Sequence, residues 1–129
     1  MKDLKAGLEG RETYIVKFEH LASEIGSGSL EVLSTPSLVS FVENLSYKLI
    51  EEYLSEGYTS VGYEVYIRHL APVPKGEYVE VYVKVSSVED RRIRLDFKVY
   101  WRNILIADGH HIRYVVNIER FMKKINDMS

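Results

Sequence analysis

The stretch Ser34-Thr35-Pro36-Ser37-Leu38-Val39-Ser40-Phe41-Val42-Glu43-Asn44-Leu45-Ser46-Tyr47-Lys48-Leu49-Ile50-Glu51-Glu52-Tyr53-Leu54 decides the fold. It opens as a helix N-terminus does. A hydroxyl oxygen there accepts from a backbone N–H that has no partner inside the helix, and a proline at the first helical position has no N–H to lose. Thr35 is the expected cap, Pro36 the expected first helical residue, and the helix should run to about Leu54 and stop before Gly57. Leu38, Val42, Leu45, Leu49 and Tyr53 recur at helical spacing as one apolar stripe, opposite Ser37, Ser40, Asn44, Lys48, Glu51 and Ser55. Such a helix buries one side in a core.

Upstream, Thr13 to Glu19 is rich in β-formers and predicts a first strand, and Ser23 to Ser34, with Gly26-Ser27-Gly28-Ser29, predicts a mobile loop. Downstream of Gly57 the period changes to two: Val61, Tyr63, Val65 and Ile67 alternate with Glu64, Tyr66 and Arg68. The loop from Ala71 to Gly76 reverses the chain. Val79, Val81, Val83 and Val85 make the next strand, and Ile93, Leu95, Phe97, Val99 and Trp101 another after the turn at Glu89-Asp90-Arg91. Ile104 to Val116 follows the turn at Arg102-Asn103, and Ile118 to Ile125 predicts a short terminal helix. Connections this short suit antiparallel pairing, because a parallel crossover needs a dozen residues or more. The expected architecture is α+β: one domain over residues 1–129, with a first strand and a four-strand meander curled around one long central helix. Long strands left open at a sheet edge invite pairing with a second copy, so a dimer is expected.

The composition restricts the function classes. With 17 basic and 19 acidic residues the formal charge is −2, which offers no general attraction to nucleic acid or to an anionic membrane surface. The absence of cysteine removes disulfides, thiolate zinc sites and a cysteine nucleophile. Met1-Lys2-Asp3-Leu4 lacks the apolar segment of a signal peptide, and no apolar run approaches membrane-spanning length, so a cytoplasmic location is expected.

Two ionisable residues stand where the patterns call for apolar ones. Glu43 falls beside Val39, Tyr47, Ile50 and Leu54 on the helical wheel, at the edge of the apolar arc. His69 is in phase with Val61, Tyr63, Val65 and Ile67 on the inward strand face. Each has a plain structural reading, as a boundary glutamate reaching solvent or an arginine and as a satisfied histidine at a strand end. Taken together they make a candidate acid/base pair. Thr35 doubles as cap and as a hydroxyl beside the helix N-terminus, whose free N–H groups and dipole favour a developing oxyanion. Asp108-Gly109-His110-His111 does not make a metal site, since adjacent strand histidines face opposite ways and no second ligand pair has a recognised spacing. Neither a phosphate-binding glycine motif nor a Gly-x-Ser-x-Gly elbow occurs.

Ser34-Thr35-Pro36-Ser37-Leu38-Val39 with Phe41-Val42-Glu43, Thr59-Ser60-Val61-Gly62, Arg68-His69-Leu70-Ala71-Pro72-Val73-Pro74-Lys75-Gly76, Asp108-Gly109-His110-His111-Ile112-Arg113 and Glu119-Arg120-Phe121 together resemble the hotdog thioesterases related to fluoroacetyl-CoA thioesterase. The resemblance covers nearly the whole chain after the first strand. It implies a hotdog fold and a catalytic set of threonine, glutamate and histidine, carried onto Thr35, Glu43 and His69. Gly62, Gly109, His111 and Arg113 match the family pattern as well, and Gly62, His111 and Arg113 are the candidate substrate-binding residues. Upstream of the helix the chain departs from the family. Members selective for fluoroacetate carry aromatic lid residues where this chain has its Gly/Ser-rich loop and Leu30-Glu31-Val32-Leu33.

The expected reaction is hydrolysis of a small acyl-CoA to the free acid and CoA. Thr35 and the helix N-terminus hold the thioester carbonyl, Glu43 attacks or activates water, and His69 moves protons; Thr35 as covalent nucleophile is a third route. CoA is part of the substrate and no separate cofactor is expected. Arg68, Lys75, Arg91 and Arg92 are candidates for its phosphates. Eight residues of helix rise roughly 12 Å, too far for Thr35 and Glu43 of one chain to hydrogen-bond, so a site shared between two subunits is expected. The competing class is a hotdog module that holds an acyl-CoA without turnover; a hotdog hydratase fits less well, because no Asp-x-x-x-x-His dyad occurs.

Overall fold

The computed structural model describes residue 1 and residues 3–129. Strand β1 (Glu9–Ile15) leads through a 3-10 turn at Phe18–His20 and a four-residue helix α1 (Ala22–Ile25) to the long helix α2 (Thr35–Glu51). Four strands follow, β2 (Tyr58–His69), β3 (Tyr78–Glu89), β4 (Arg92–Trp101) and β5 (Ile104–Asn117), and then helix α3 (Ile118–Asp127). The five strands form one antiparallel sheet in the order β1-β3-β4-β5-β2.

Helix α2 packs against this sheet through Leu38, Phe41, Val42, Leu45, Leu49 and Ile50, which meet Val79, Val81, Val83 and Val85 of β3 and Ile93, Leu95, Phe97 and Val99 of β4 in one core. Each such side chain contributes about 1.5–3 kcal/mol when fully buried, so this contact face dominates the stability of the helix. Beyond Glu51 the chain tightens, with Tyr53 N donating to Ile50 O and Leu54 N to Glu51 O, and Gly57 turns it at φ +89°. The helix therefore ends before the predicted Leu54.

Three further expectations are corrected. The first strand begins earlier and ends before Glu19, where Phe18–His20 has already turned. The segment from Ser23 to Ser34 is tied down at its ends: Leu21 bridges Leu33 and Val32 bridges Pro74, and both leucines are buried. The meander covers only β3, β4 and β5, while β2 crosses to the far side and pairs with β5. Pro72 and Pro74 in the connection lack the N–H that a hairpin ladder between β2 and β3 needs. This crossing leaves β2, twelve residues long, as an edge of the sheet.

The strand alternation also breaks where sequence periodicity continued it. Gly62 pairs with Arg113 and Glu64 with Ile112, so Tyr63 is the extra residue of a bulge. Before the bulge Ser60 and Gly62 face the helix; after it Val65, Ile67 and His69 do. Tyr63 points out, 67% exposed, with its ring edge-on to Tyr114.

Candidate active site

Ser34, not Thr35, caps α2: its side-chain oxygen accepts from Ser37 N at 3.1 Å. Thr35 is thereby the first helical residue, and its hydroxyl is free for another partner. That partner is His69 at the end of β2, with Thr35 Oγ1 and His69 Nδ1 2.8 Å apart. Thr35 is exposed while His69 is half-buried, and the imidazole Nε2 is buried with no hydrogen-bond partner. Burial pulls His69 below its ordinary value of 6.5, opposed by the Ala71 backbone, so the ring is neutral at pH 7. A neutral imidazole has two tautomers. With the proton on Nδ1, the ring donates to Thr35 and leaves the threonine proton to point at a substrate; with it on Nε2, the ring accepts the threonine proton and makes Oγ1 more nucleophilic.

The expected pairing of Glu43 with His69 does not form. Instead the Glu43 carboxylate lies against β2 at Gly62, where a Cβ would stand 2.8 Å from Oε2, 3.6 Å from Arg113 Nη1 and 3.6 Å from His111 Cε1. Glycine leaves the carboxylate its place here, because a larger residue would push it away. Gly62, Glu43, His111 and Arg113 are thus brought together, well separated from Thr35 and His69. Gly62 and His69 are seven positions apart along β2, roughly 20 Å at the usual rise.

Arg113 and His111 are buried, at 6% and 0% exposure, and their geometry fixes the proton positions. His111 Nδ1 lies 2.9 Å from the Glu64 carbonyl, which can only accept, so Nδ1 carries the proton. Nε2 of the neutral ring then accepts from Arg113 Nη1 at 3.2 Å. Arg113 Nε donates to Ser60 Oγ at 2.8 Å and Nη2 to the Ser60 carbonyl at 3.0 Å. Burial draws His111 below 6.5, opposed by the Glu64 carbonyl and reinforced by the charge of Arg113. Arg113 is itself drawn down by burial, against the nearby charges of Glu43 and Glu51, and its guanidinium lies 6.0 Å from the Tyr47 ring centre.

Ser60 is the residue that sequence reading missed. The isolated Gly62 inside a strand pattern was the signal, since glycine there often marks a bulge, and a bulge moves Ser60 from the outer to the inner face. Gly109 supports the site from behind: a Cβ on it would fall 1.9 Å from the Tyr66 carbonyl oxygen, so only glycine lets β5 run this close to β2. His110 and His111 diverge as expected, His110 turning to the Glu64 carboxylate at 2.7 Å and stacking on Tyr66. Among the described residues no three His, Asp or Glu side chains gather in a way that would hold a metal ion. Of the phosphate candidates, Arg68 is held by Asp108 through two hydrogen bonds of 2.9 and 2.7 Å.

The sequence matches the model of the family FlK: Fluoroacetyl-CoA-specific thioesterase over residues 16–119. The chain belongs to this family. A fluoroacetyl-CoA thioesterase of Streptantibioticus cattleyicolor is 30% identical over 95 residues, covering 74% of this chain and 68% of that protein. A variant of the FlK thioesterase solved with fluoroacetate and CoA shares 24% identity and a TM-score of 0.86, over 92% of this chain and 99% of the other. A hot-dog-like protein from Thermanaerovibrio acidaminovorans shares 25% identity and a TM-score of 0.88, over 95% and 91% of the two chains. The hotdog fold and the thioester-hydrolase class expected for this sequence are those of the family. No helix among the described residues is long and apolar enough to cross a membrane.

Proposed function

We propose that this chain hydrolyses a small acyl-CoA to the free acid and CoA, in a site completed by two copies of the chain. The observation that carries the proposal is the Thr35–His69 hydrogen bond of 2.8 Å at the open N-terminus of α2. It joins an exposed hydroxyl, a half-buried neutral imidazole and the positive end of the α2 dipole, where Ser37 N is already taken by the Ser34 cap and Pro36 has no N–H to offer. The acyl-CoA substrate class is supported by family membership, and the relative solved with CoA is in keeping with it.

Glu43 is the carboxylate this chemistry calls for, and within one chain it is turned toward Gly62 instead. Strand β2 supports a remedy. It is a free edge, and when two copies of such a strand pair antiparallel about a two-fold axis, residues near its start face residues near the partner's end. Glu43 and Gly62 of one copy then approach Thr35 and His69 of the other.

In the resulting mechanism the Thr35 hydroxyl and the positive end of α2 hold the thioester oxygen, and Glu43 takes a proton from water as the water oxygen bonds to the carbonyl carbon. The tetrahedral intermediate collapses, the C–S bond breaks, and the thiolate leaves as CoA thiol on receiving the proton that Glu43 took up, passed on through the Thr35–His69 bond, which returns Glu43 to its starting state. The Thr35–His69 bond also favours a second route: with the imidazole proton on Nε2, Nδ1 takes the Thr35 proton as Oγ1 bonds to the carbonyl carbon, the C–S bond breaks and that proton passes to the CoA sulfur, and water then hydrolyses the Thr35 ester to the free acid. Thiol release from a panel of short acyl-CoAs tests the proposal. Wild type turns over at least one of them, Glu43→Gln loses about a thousandfold in kcat, and acid quenching yields no acylated Thr35 on the first route but does on the second. Binding of every acyl-CoA without thiol release would leave only a holding module.

A further inference from the structure

We infer that Ser60 is a positioning residue, acting on Glu43 through the guanidinium of Arg113. The inference rests on the catalytic role proposed for Glu43 and extends it to a residue with no hydrogen bond to that carboxylate. Ser60 stands on β2 with 5% exposure and grips Arg113 twice, with its hydroxyl on Nε and its carbonyl on Nη2. The third grip is His111, which accepts from Nη1 because its own proton is committed to the Glu64 carbonyl. Three of the five guanidinium protons are thus held by groups that cannot turn away, two of them backbone-anchored on either side of the Tyr63 bulge.

The consequence is a fixed orientation. Nη1 comes within 3.6 Å of the point where a Gly62 Cβ would stand, and Glu43 Oε2 lies 2.8 Å from that same point. The buried positive charge therefore faces the carboxylate across the gap that glycine leaves. A guanidinium that loses the Ser60 hydroxyl keeps its charge and its bonds to the Ser60 carbonyl and His111 but can tilt about them, and a charge that tilts no longer faces the carboxylate in one direction. Removing the Ser60 hydroxyl also leaves Nε buried without an acceptor, so the arginine relaxes toward other partners, with Glu51 close enough for its charge to reach the arginine.

A double-mutant cycle on the full-length protein tests this, with kcat and KM from thiol release. Ser60→Ala should lower kcat by about tenfold to a hundredfold with KM little changed, and Ser60→Thr, which keeps the hydroxyl, should recover most of the loss. In the Glu43→Gln background, Ser60→Ala should cost almost nothing more, because the carboxylate through which it acts is already gone. Should Ser60→Ala fail to fold, Ser60→Cys carries the same cycle, replacing a strong acceptor by a weak one at similar size. Losses that multiply in the double variant, or a kcat equal to wild type in Ser60→Ala while Glu43→Gln is inactive, would overturn the inference. A Glu43→Gln protein as active as wild type would instead overturn the role of Glu43 itself.

Discussion

At the end of β2, Thr35 and His69 share one hydrogen bond, the threonine open to solvent and the imidazole Nε2 without a partner. Toward the start of the same strand, Glu43 lies over Gly62 in front of a buried arginine whose guanidinium is held by a serine hydroxyl, a serine carbonyl and a histidine. The first group presents an exposed hydroxyl backed by a half-buried imidazole, which suits a pair that must meet a substrate and exchange a proton. The second is cross-braced, with its arginine, histidine and serine buried, which suits a group whose task is to keep one charge in one place. The contrast teaches that the polar residues interrupting the apolar pattern are not one cluster but two groups in different physical surroundings.

The sharpest way to break this contrast is to disturb the cross-braced group alone. In Gly62→Ala the new methyl group would sit 2.8 Å from Glu43 Oε2, and the carboxylate is the part that can move. We expect kcat to fall by about a hundredfold while the Thr35–His69 pair stays intact, measured by thiol release alongside the His69 imidazole NMR signals. A kcat near wild type would mean that the Glu43 position tolerates displacement.

A smaller effect distinguishes the two groups by pH. Burial lowers both His69 and His111 below 6.5, so below that value the unfolded chain binds protons that the folded chain refuses. Stability is therefore complete above about pH 6.5 and declines as pH falls below it, until the folded-state values are reached. Melting curves from pH 7.5 to 5.5 should show a drop of several degrees. His111→Asn should flatten that slope more than His69→Asn, since His111 is fully buried and His69 only in part. Equal slopes in the two variants would contradict the difference in burial between the two groups.

The smallest effect separates capping from chemistry. Ser34→Ala removes the acceptor for Ser37 N and should cost about 1 kcal/mol, a shift of a few degrees in the melting temperature. Were Thr35 able to take over as cap, the loss would vanish and the Thr35–His69 bond would be the one to suffer.

Much of this arrangement is legible in the chain, and its gaps have a common cause. Helix α2 was readable because Leu38, Val42, Leu45 and Leu49 repeat at helical spacing over many residues, and β3 and β4 because valine, leucine and isoleucine alternate without interruption. Periodicity reports which face a residue occupies, and on that count Glu43 and His69 were both placed inward. It carries no information about position along the axis, so it paired Glu43 with His69 when the partner of His69 is Thr35, 34 residues away. The pairing of β2 with β5 rather than β3 is non-local in the same sense, and the bulge at Tyr63 reverses which residues face in. Ser60 became visible only once that reversal was known. The cap at Ser34 rather than Thr35 was a choice between adjacent hydroxyls that local preference does not separate.

The central claim is that the two groups work across a pair of subunits, and subunit complementation tests it most directly. Thr35→Ala and Glu43→Gln proteins, each nearly inactive alone, are mixed under conditions that exchange subunits, and thiol release is measured once mass analysis confirms mixed dimers. Random exchange makes about half of the dimers mixed, each with one of its two sites intact, so activity should return to roughly a quarter of wild type. Verified exchange with no recovery would contradict the shared site, since a site confined to one chain remains defective in every subunit of the mixture.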